Sequence, residues 1–197
     1  TYNRVEDRLD YYYNLEGVRM SCVTEDSAGN LYVGTMNNGL YMIDHNKKWL
    51  NYFPKKDITC IYEDSKKSIW VGTKDDGLFR LDRNGGITNY GTAPHQNMLS
   101  SSYVRCVVED NLGNYWIGTF KGLDKLDVTT GTFTHYSKDN KPYSLSNSSI
   151  ICMMKDRQGT FWIGTYYGGV NLFNPDYEIY TYYYPDESQK GKLTSPF

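Results

Sequence analysis

VRCVVEDNLGNYWIGTFKGLDKLD, residues 104–127, decides the fold. The stretch recurs as ITCIYEDSKKSIWVGTKDDGLFRLD at 58–82 and as IICMMKDRQGTFWIGTYYGGVNLFN at 150–174, and a further copy surrounds Cys22 and Gly34. Cys22, Cys60, Cys106 and Cys152 each precede the glycine of a Gly-Thr pair by 12 residues (Gly34, Gly72, Gly118, Gly164). Each glycine precedes a tyrosine by 18 (Tyr52, Tyr90, Tyr136, Tyr182). A fixed internal period sets the architecture before any local propensity does. Four cysteines in a short chain ordinarily suggest a disulfide framework; here they are one repeated position.

Within each unit, short β-branched and aromatic runs alternate with turn residues such as 26–30 (DSAGN), 36–39 (MNNG) and 127–131 (DVTTG). No stretch carries helical periodicity. The third unit reads as a strand around Cys106 followed by strands at Tyr115–Thr119, Leu123–Asp127 and Thr132–Tyr136. Four antiparallel strands in a unit of roughly 40 to 50 residues, repeated head to tail, predict an all-β chain of β-propeller blades. The first two strands are apolar at nearly every position, as in Ile150–Met154 and Phe161–Ile163. Both faces of that inner sheet are therefore expected to be buried by blade stacking, with the outermost strand more polar.

The expected blades are 18–53, 54–91, 92–137 and 138–184. Residues 1–17 read as the outer strand of a preceding blade with its linker, and 185–197 as a crossover toward a next one. Leu193–Phe197 aligns with Leu99–Tyr103 and Leu145–Ser149, which lead into first strands. The chain thus reads as a segment of a larger propeller, with the remaining blades as partners and end faces open to self-association. A closed four-bladed ring is the alternative. From each outer-strand tyrosine to the next cysteine the chain takes 8, 16 and 16 residues, so length variation lies between blades. Those connections and the turns between second and third strands are expected to open on one face.

Lys and Arg total 21 against 23 Asp and Glu, a formal net charge of −2, and no basic run favours nucleic acid or an anionic membrane surface. No apolar run approaches the ~20 residues of a membrane span, and the opening residues do not read as a signal peptide.

The pattern I-x-x-I-x-E-D-x-x-G-x-x-W-V/I-G-T-x-x-G-L-x-x-x-D…F-x-x-Y resembles the two-component regulator propeller repeat. Here it reads as Glu25, Asp26, Gly34, Thr35, Gly39, Leu40, Asp44 and Tyr52, and likewise in the other copies, over about residues 18–182. The departures are Lys155 for glutamate, Tyr32 for tryptophan, Lys67 or Ser68 for the turn glycine, and Asn174 for aspartate. The resemblance implies the periplasmic sensor region of a hybrid two-component receptor anchored in the inner membrane. It further implies an oligosaccharide signal, control of polysaccharide utilisation, a homodimeric parent, and a histidine kinase outside this chain.

Positions repeated in every blade are explained by the blade. The pairs Glu25/Asp26, Glu63/Asp64 and Glu109/Asp110 open the first turn, where a carboxylate accepts hydrogen bonds from turn amides; an active site needs one unique pair. Tyr32, Trp70, Trp116 and Trp162 are expected to pack between blades. The cysteines are expected to be free and buried, because equivalent positions around an axis do not converge as zinc ligands must or approach within the ~7 Å of a disulfide. Residues 156–162 are similar to the Asp-box turn of sialidases, with one residue too many between aspartate and glycine. No catalytic constellation, metal set or cofactor is expected. His45, His95 and His135 occupy unrelated positions.

Binding is therefore expected where the repeat breaks. The turns after the second strands differ in every copy: Met36, Asn37 and Asn38; Lys74, Asp75 and Asp76; Phe120 and Lys121; Tyr166 and Tyr167. Aromatic faces stack on sugar C–H surfaces while amides and charged groups grip hydroxyls, so Asn37, Asn38, Asp75, Asp76, Phe120, Lys121, Tyr166 and Tyr167 are the candidate ligand residues. His95, Gln96 and Tyr143 are secondary candidates in the long connections. The alternatives are a purely structural scaffold for dimer or interdomain contacts, and a propeller glycosidase or lyase.

Overall fold

The computed structural model describes residues 2–3, 5–9, 17–91, 97–139, 144–175 and 179–183. A short pair, β1 (Tyr2–Asn3) and β2 (Arg8–Leu9), precedes four antiparallel sheets of four strands. Blade 1 comprises β3 (Met20–Glu25), β4 (Leu31–Thr35), β5 (Leu40–Ile43) and β6 (Trp49–Tyr52). Blade 2 comprises β7 (Ile58–Glu63), β8 (Ile69–Thr73), β9 (Leu78–Leu81) and β10 (Ile87–Tyr90). Blade 3 comprises β11 (Val104–Glu109), β12 (Tyr115–Thr119), β13 (Leu123–Leu126) and β14 (Phe133–Tyr136). Blade 4 comprises β15 (Ile150–Lys155), β16 (Phe161–Thr165), β17 (Gly169–Asn174) and β18 (Ile179–Tyr183). Sequential strands pair within each blade, and the first strands of successive blades lie side by side. In blade 3 the third and fourth strands each lose one residue against expectation, because Asp127 and Thr132 close the turn between them (Asp127 N–H to Thr132 O, 3.0 Å).

The repeated cysteine and glycine face each other across the first ladder, as in Cys60↔Gly72. A methyl group added at Gly72 would lie 2.5 Å from Cys60 Sγ and 2.8 Å from Val104 Cγ1 of the next blade. Ile58 and Ile150 stand in the same way over Gly34 and Gly118. Glycine is thus required twice over, by its own blade and by its neighbour. The threonine that follows closes the next turn: Thr35 and Thr73 hydroxyls donate to the Gly39 and Gly77 carbonyls at 2.6 and 2.7 Å.

The Glu-Asp pairs divide the work between them. Asp110 accepts the Leu112 and Asn114 amides at 2.9 and 2.8 Å and the Trp116 indole N–H at 3.0 Å, so it organises its own turn. The glutamate beside it reaches backward instead. Glu109 receives the amide and hydroxyl of Ser65 in the preceding blade, each at 2.7 Å, and Glu63 receives those of Ser27 at 2.9 and 2.7 Å. Where blade 4 has Lys155, the contact survives with reversed polarity: its ammonium donates to Asn111 Oδ1 at 3.3 Å. Tyr115 adds a further bridge, its buried hydroxyl donating to Asp64 at 2.8 Å, and burial pushes that phenol upward in pKa.

The inter-blade layers are aromatic. Trp70 packs 4.2 Å from Tyr115 of the next blade, and Trp116 lies 4.8 Å from Phe173 and 5.8 Å from Phe161, centroid to centroid. The expectation that first strands are buried on both faces holds for β11 but fails at the two flanks. Met20 and Val23 of β3 are 56% and 65% exposed, and Met154 of β15 and Trp162 of β16 are 57% and 39% exposed. Each of these faces lacks a neighbouring blade among the described residues.

The four cysteines are free, but only Cys106 is fully buried and Cys152 is exposed. That corrects the expectation of four buried thiols; Cys152 lies on the open face of blade 4. Burial pushes the Cys60 thiol up to about 12 and raises Cys22 and Cys106 as well.

Lys67 occupies the turn-glycine position, at φ 66° where Gly29, Gly113 and Gly159 have 84–87°. A left-handed L-residue costs roughly 1–2 kcal/mol, so Lys67→Gly is expected to stabilise the chain by about 0.5–1 kcal/mol after glycine's entropic cost, read from denaturant unfolding. Glu109→Ala is expected to lower stability by about 0.5–2 kcal/mol, since it removes the charge-assisted bonds to the Ser65 amide and hydroxyl. A double-mutant cycle with Ser65→Ala should return a coupling above about 0.5 kcal/mol; strict additivity would mean that the bridge carries no stability.

Candidate functional site

Each first strand contains a β-bulge immediately before its cysteine, where the register shifts between Met20 and Cys22, Ile58 and Cys60, Val104 and Cys106, and Ile150 and Cys152. A bulge leaves one residue outside the ladder and re-aims its side chain. The re-aimed residues are Ser21, Thr59, Arg105 and Ile151. Ser21 Oγ donates to the Ile58 carbonyl at 2.6 Å, Thr59 Oγ1 to Val104 O at 2.6 Å, and Arg105 Nη1 to Ile150 O at 2.9 Å. Each bond runs from one blade to the next.

These four residues line a cavity of about 490 Å³, together with Met36, Asp57, Ile58, Lys74 and Tyr103. Its walls come from two kinds of loop that backbone bonds hold together. Met36, Lys74, Phe120 and Tyr166 N–H groups donate to the carbonyls of Arg19, Asp57, Tyr103 and Ser149, each the last residue before a first strand. The turns and inter-blade connections therefore share a face, as expected.

Arg105 is the most constrained group there. Its guanidinium carbon lies 4.6 Å from the Tyr103 ring centroid and 5.2 Å from that of Phe120, and the two rings are near parallel at 13° and 6.3 Å apart. Cation–π attraction of this kind contributes about 0.5–2 kcal/mol. Nη1 also donates to Ser149 Oγ at 3.0 Å. The remaining polar character comes from Asp57, whose carboxylate accepts the Asn37 amide at 2.6 Å, and from the exposed Lys74. The wall thus offers the Tyr103 ring, two cations, one carboxylate and the Ser21 and Thr59 hydroxyls, with the Phe120 ring beside it.

The eight residues singled out from the sequence are all exposed on this face, but none lines the cavity itself. Phe120 comes nearest, through its stacking on Tyr103. Asn37 sits at the turn tip with φ 66°, and the Asn38 carbonyl accepts Asn51 Nδ2 at 2.9 Å. Asp76 pairs with Lys56 at 2.7 Å, whereas Asp75 extends to solvent. The Lys121 amide donates to Thr119 Oγ1 at 3.1 Å. Tyr166 and Tyr167 form their own edge-to-face pair at 4.3 Å on blade 4. His95, Gln96 and Tyr143 lie outside the described residues. The missed residues carried a readable signal: the position before each cysteine is Ser, Thr, Arg or Ile, so the repeat breaks there too.

The long connections are fixed by a second device. Buried Asp124 accepts the Ser100 amide and hydroxyl at 2.8 and 3.0 Å and contacts His135 Nδ1 at 2.7 Å. Asn171 holds the Ser146 amide equivalently in blade 4, at 2.9 Å. Burial raises the Asp124 pKa. Its partners all belong to loop anchoring, and no serine contacts the imidazole among the described hydrogen bonds. Among the described residues no three His, Cys, Asp or Glu side chains gather in a metal-binding group, and no helix is long and apolar enough to cross a membrane.

The two component regulator propeller family model matches residues 52–75, 98–121 and 144–167. Those three segments are two component regulator propeller repeats. Each match runs from the residues that lead into a first strand to the turn after the second strand, the segment that builds this face. The chain is similar to the extracellular domain of the hybrid two component system BT3049 from B. thetaiotaomicron, with 21% identity, a TM-score of 0.73, and coverage of 89% of this chain and 26% of that one. For the extracellular domain of the hybrid two component system BT4673 from the same organism the values are 22%, 0.66, 83% and 24%. The chain thus spans about a quarter of either domain. Virginiamycin B lyase from Staphylococcus aureus shares the fold at 17% identity and a TM-score of 0.69, covering 86% of this chain and 57% of the lyase. Comparison with curated proteins finds no match.

Arg105→Leu is expected to lower unfolding free energy by about 1–3 kcal/mol, because the Ile150 carbonyl and Ser149 hydroxyl lose their donor. Phe120→Ala, at an exposed ring, should stay within about 1 kcal/mol of wild type. Equal losses in thermal or denaturant unfolding would contradict the division between a structural arginine and an accessible aromatic.

Proposed function

We propose that the chain is an extracytoplasmic ligand-recognition segment of a hybrid two-component receptor, and that its ligand is an oligosaccharide. The observation that carries this reading is the cavity on the turn-bearing face. Its volume of about 490 Å³ falls within the ~300–1,000 Å³ of small-ligand sites. Tyr103 and Phe120 provide ring faces for sugar C–H surfaces, while Arg105, Lys74, Asp57, Thr59 and Ser21 provide charged and hydroxyl partners. The likeness to extracellular domains of hybrid two component systems supports the placement outside the cytoplasm and the coupling to a kinase elsewhere. The exposed turns, including Asn37, Asp75, Lys121 and the Tyr166–Tyr167 pair, form the outer rim that a longer glycan would cross. Control of polysaccharide utilisation follows as the physiological role of such a receptor.

Calorimetric titration of the chain with neutral and acidic oligosaccharides of defined length tests this. Saturable binding is expected, with affinity at least tenfold weaker in Phe120→Ala and Lys74→Ala and the folded fraction unchanged. Absence of binding across the panel, or affinity indifferent to both substitutions, overturns the reading.

A further inference from the structure

The three interfaces between described blades share one plan near the first turns, at the opposite end of the strands from the cavity described above. A second-strand ring meets the residue that opens the next blade's second strand, and the third-strand residue paired with that ring lies over it. Between blades 2 and 3 these are Trp70, Tyr115 and Arg80, with ring centroids 4.2 Å apart and the guanidinium carbon 5.8 Å from the Trp70 ring. Between blades 3 and 4 they are Trp116, Phe161 and Lys125, at 5.8 and 5.2 Å. Between blades 1 and 2 they are Tyr32, Ile69 and Met42. Each of these last three is the smallest of its set: a phenol replaces indole, an aliphatic chain replaces a ring, and a thioether replaces a long cation.

The missing bulk leaves a cavity of about 380 Å³, within the ~300–1,000 Å³ of small-ligand sites. Both of its walls are described blades, and Tyr32, Ile69 and Leu81 in its floor are buried. Its mouth carries charge of both signs, but only the acids are engaged. Asp26 accepts the Ala28 and Asn30 amides, Glu63 that of Ser27, and Asp82 those of Asn84 and Gly86. Lys67 Nζ stands 3.9 Å from Glu63, and the exposed Arg83 guanidinium holds no hydrogen bond or ion pair among the described residues. Lys67 is moreover the left-handed residue that stands where Gly29, Gly113 and Gly159 occupy the same turn. Backbone strain of that kind concentrates at ligand sites, and here it places an ammonium at the cavity mouth.

We propose that this cavity binds a small aromatic carboxylate, its ring inserted between Tyr32 and Ile69 and its carboxylate held by Lys67 and Arg83. The ring takes the place that the Tyr115 and Phe161 side chains fill in the other two interfaces, with Met42 and Leu81 as its apolar bed. The anion takes the spare donors of the mouth, where an ammonium or guanidinium makes the stronger class of hydrogen bond. This site lies at the other end of the strands from the cavity assigned to an oligosaccharide, and its argument is independent of that assignment.

Titration of the chain with benzoate and phenylacetate, followed by ligand-detected NMR, tests this. Saturable binding of at least one acid is expected, with benzamide and phenylacetamide at least about tenfold weaker because the charge is gone. Lys67→Gly should weaken binding by a similar factor while the chain stays folded, since glycine stands at that position in the other three copies. Ile69→Phe should remove binding by filling the space, as Phe161 does between blades 3 and 4. Phe120→Ala, at the opposite face, should leave affinity unchanged; a loss there instead would move the acid to the other cavity and overturn the proposal. Absence of saturable binding to both acids, equal affinity for the amides, or binding untouched by Lys67→Gly overturns it as well.

Discussion

Everything in this propeller depends on the hydrogen atom that Gly34, Gly72 and Gly118 carry in place of a side chain. Across the ladder a cysteine sulfur fills that space from within the blade, and from outside Ile58, Val104 or Ile150 of the next blade fills it as well. The distance between adjacent blades is set there. Once first strands approach this closely, the bulge residues reach the neighbouring carbonyl, the second-strand tryptophans are covered, and the glutamates meet the preceding turn. The cysteine suits its position because it is small, apolar and polarisable, and burial keeps the thiols of Cys60 and Cys106 protonated.

Four blades and their strand order were legible in the sequence because blade geometry repeats, and repetition is visible without coordinates. The spacing from Cys106 to Gly118 to Tyr136 located three of four strands to within a residue. The acidic pairs were legible only in part. Asp110 caps its own turn, as aspartate before a glycine-containing turn suggests, but nothing local reveals that Glu109 spans to Ser65, 44 residues earlier. Burial was misjudged at the flanks for a physical reason: an apolar strand records the neighbour it suits, whether or not one is present. Met20 and Trp162 read like Ile58 and Trp116, although their exposures differ widely.

The candidate site was legible as a face and not as a cavity. Turn variation pointed to the side of the blades on which the cavity opens, yet the turn tips project past it and the bulge residues form its wall. A bulge is a property of pairing register. It cannot be seen until both strands are laid against each other, which is why Arg105 passed as an ordinary strand residue. Its stacking on Phe120 joins the two sets.

The one-directional bonds between first strands bear on how the molecule opens. Each blade touches only its neighbours, so stability resembles a chain of coupled units. Blades 2 and 3 are clasped on both sides, whereas blades 1 and 4 each have a single partner among the described residues. Amide hydrogen exchange should therefore be graded along the chain, slowest near Ile117 and Val71 and faster toward both flanks. Strands β3 and β4 at one flank, and β16 and β17 at the other, would exchange with solvent through local opening while the central pair stays closed. Any ligand that bridges the central cavity would clamp that gradient from the middle outward, making exchange at a distant flank a reporter of occupancy.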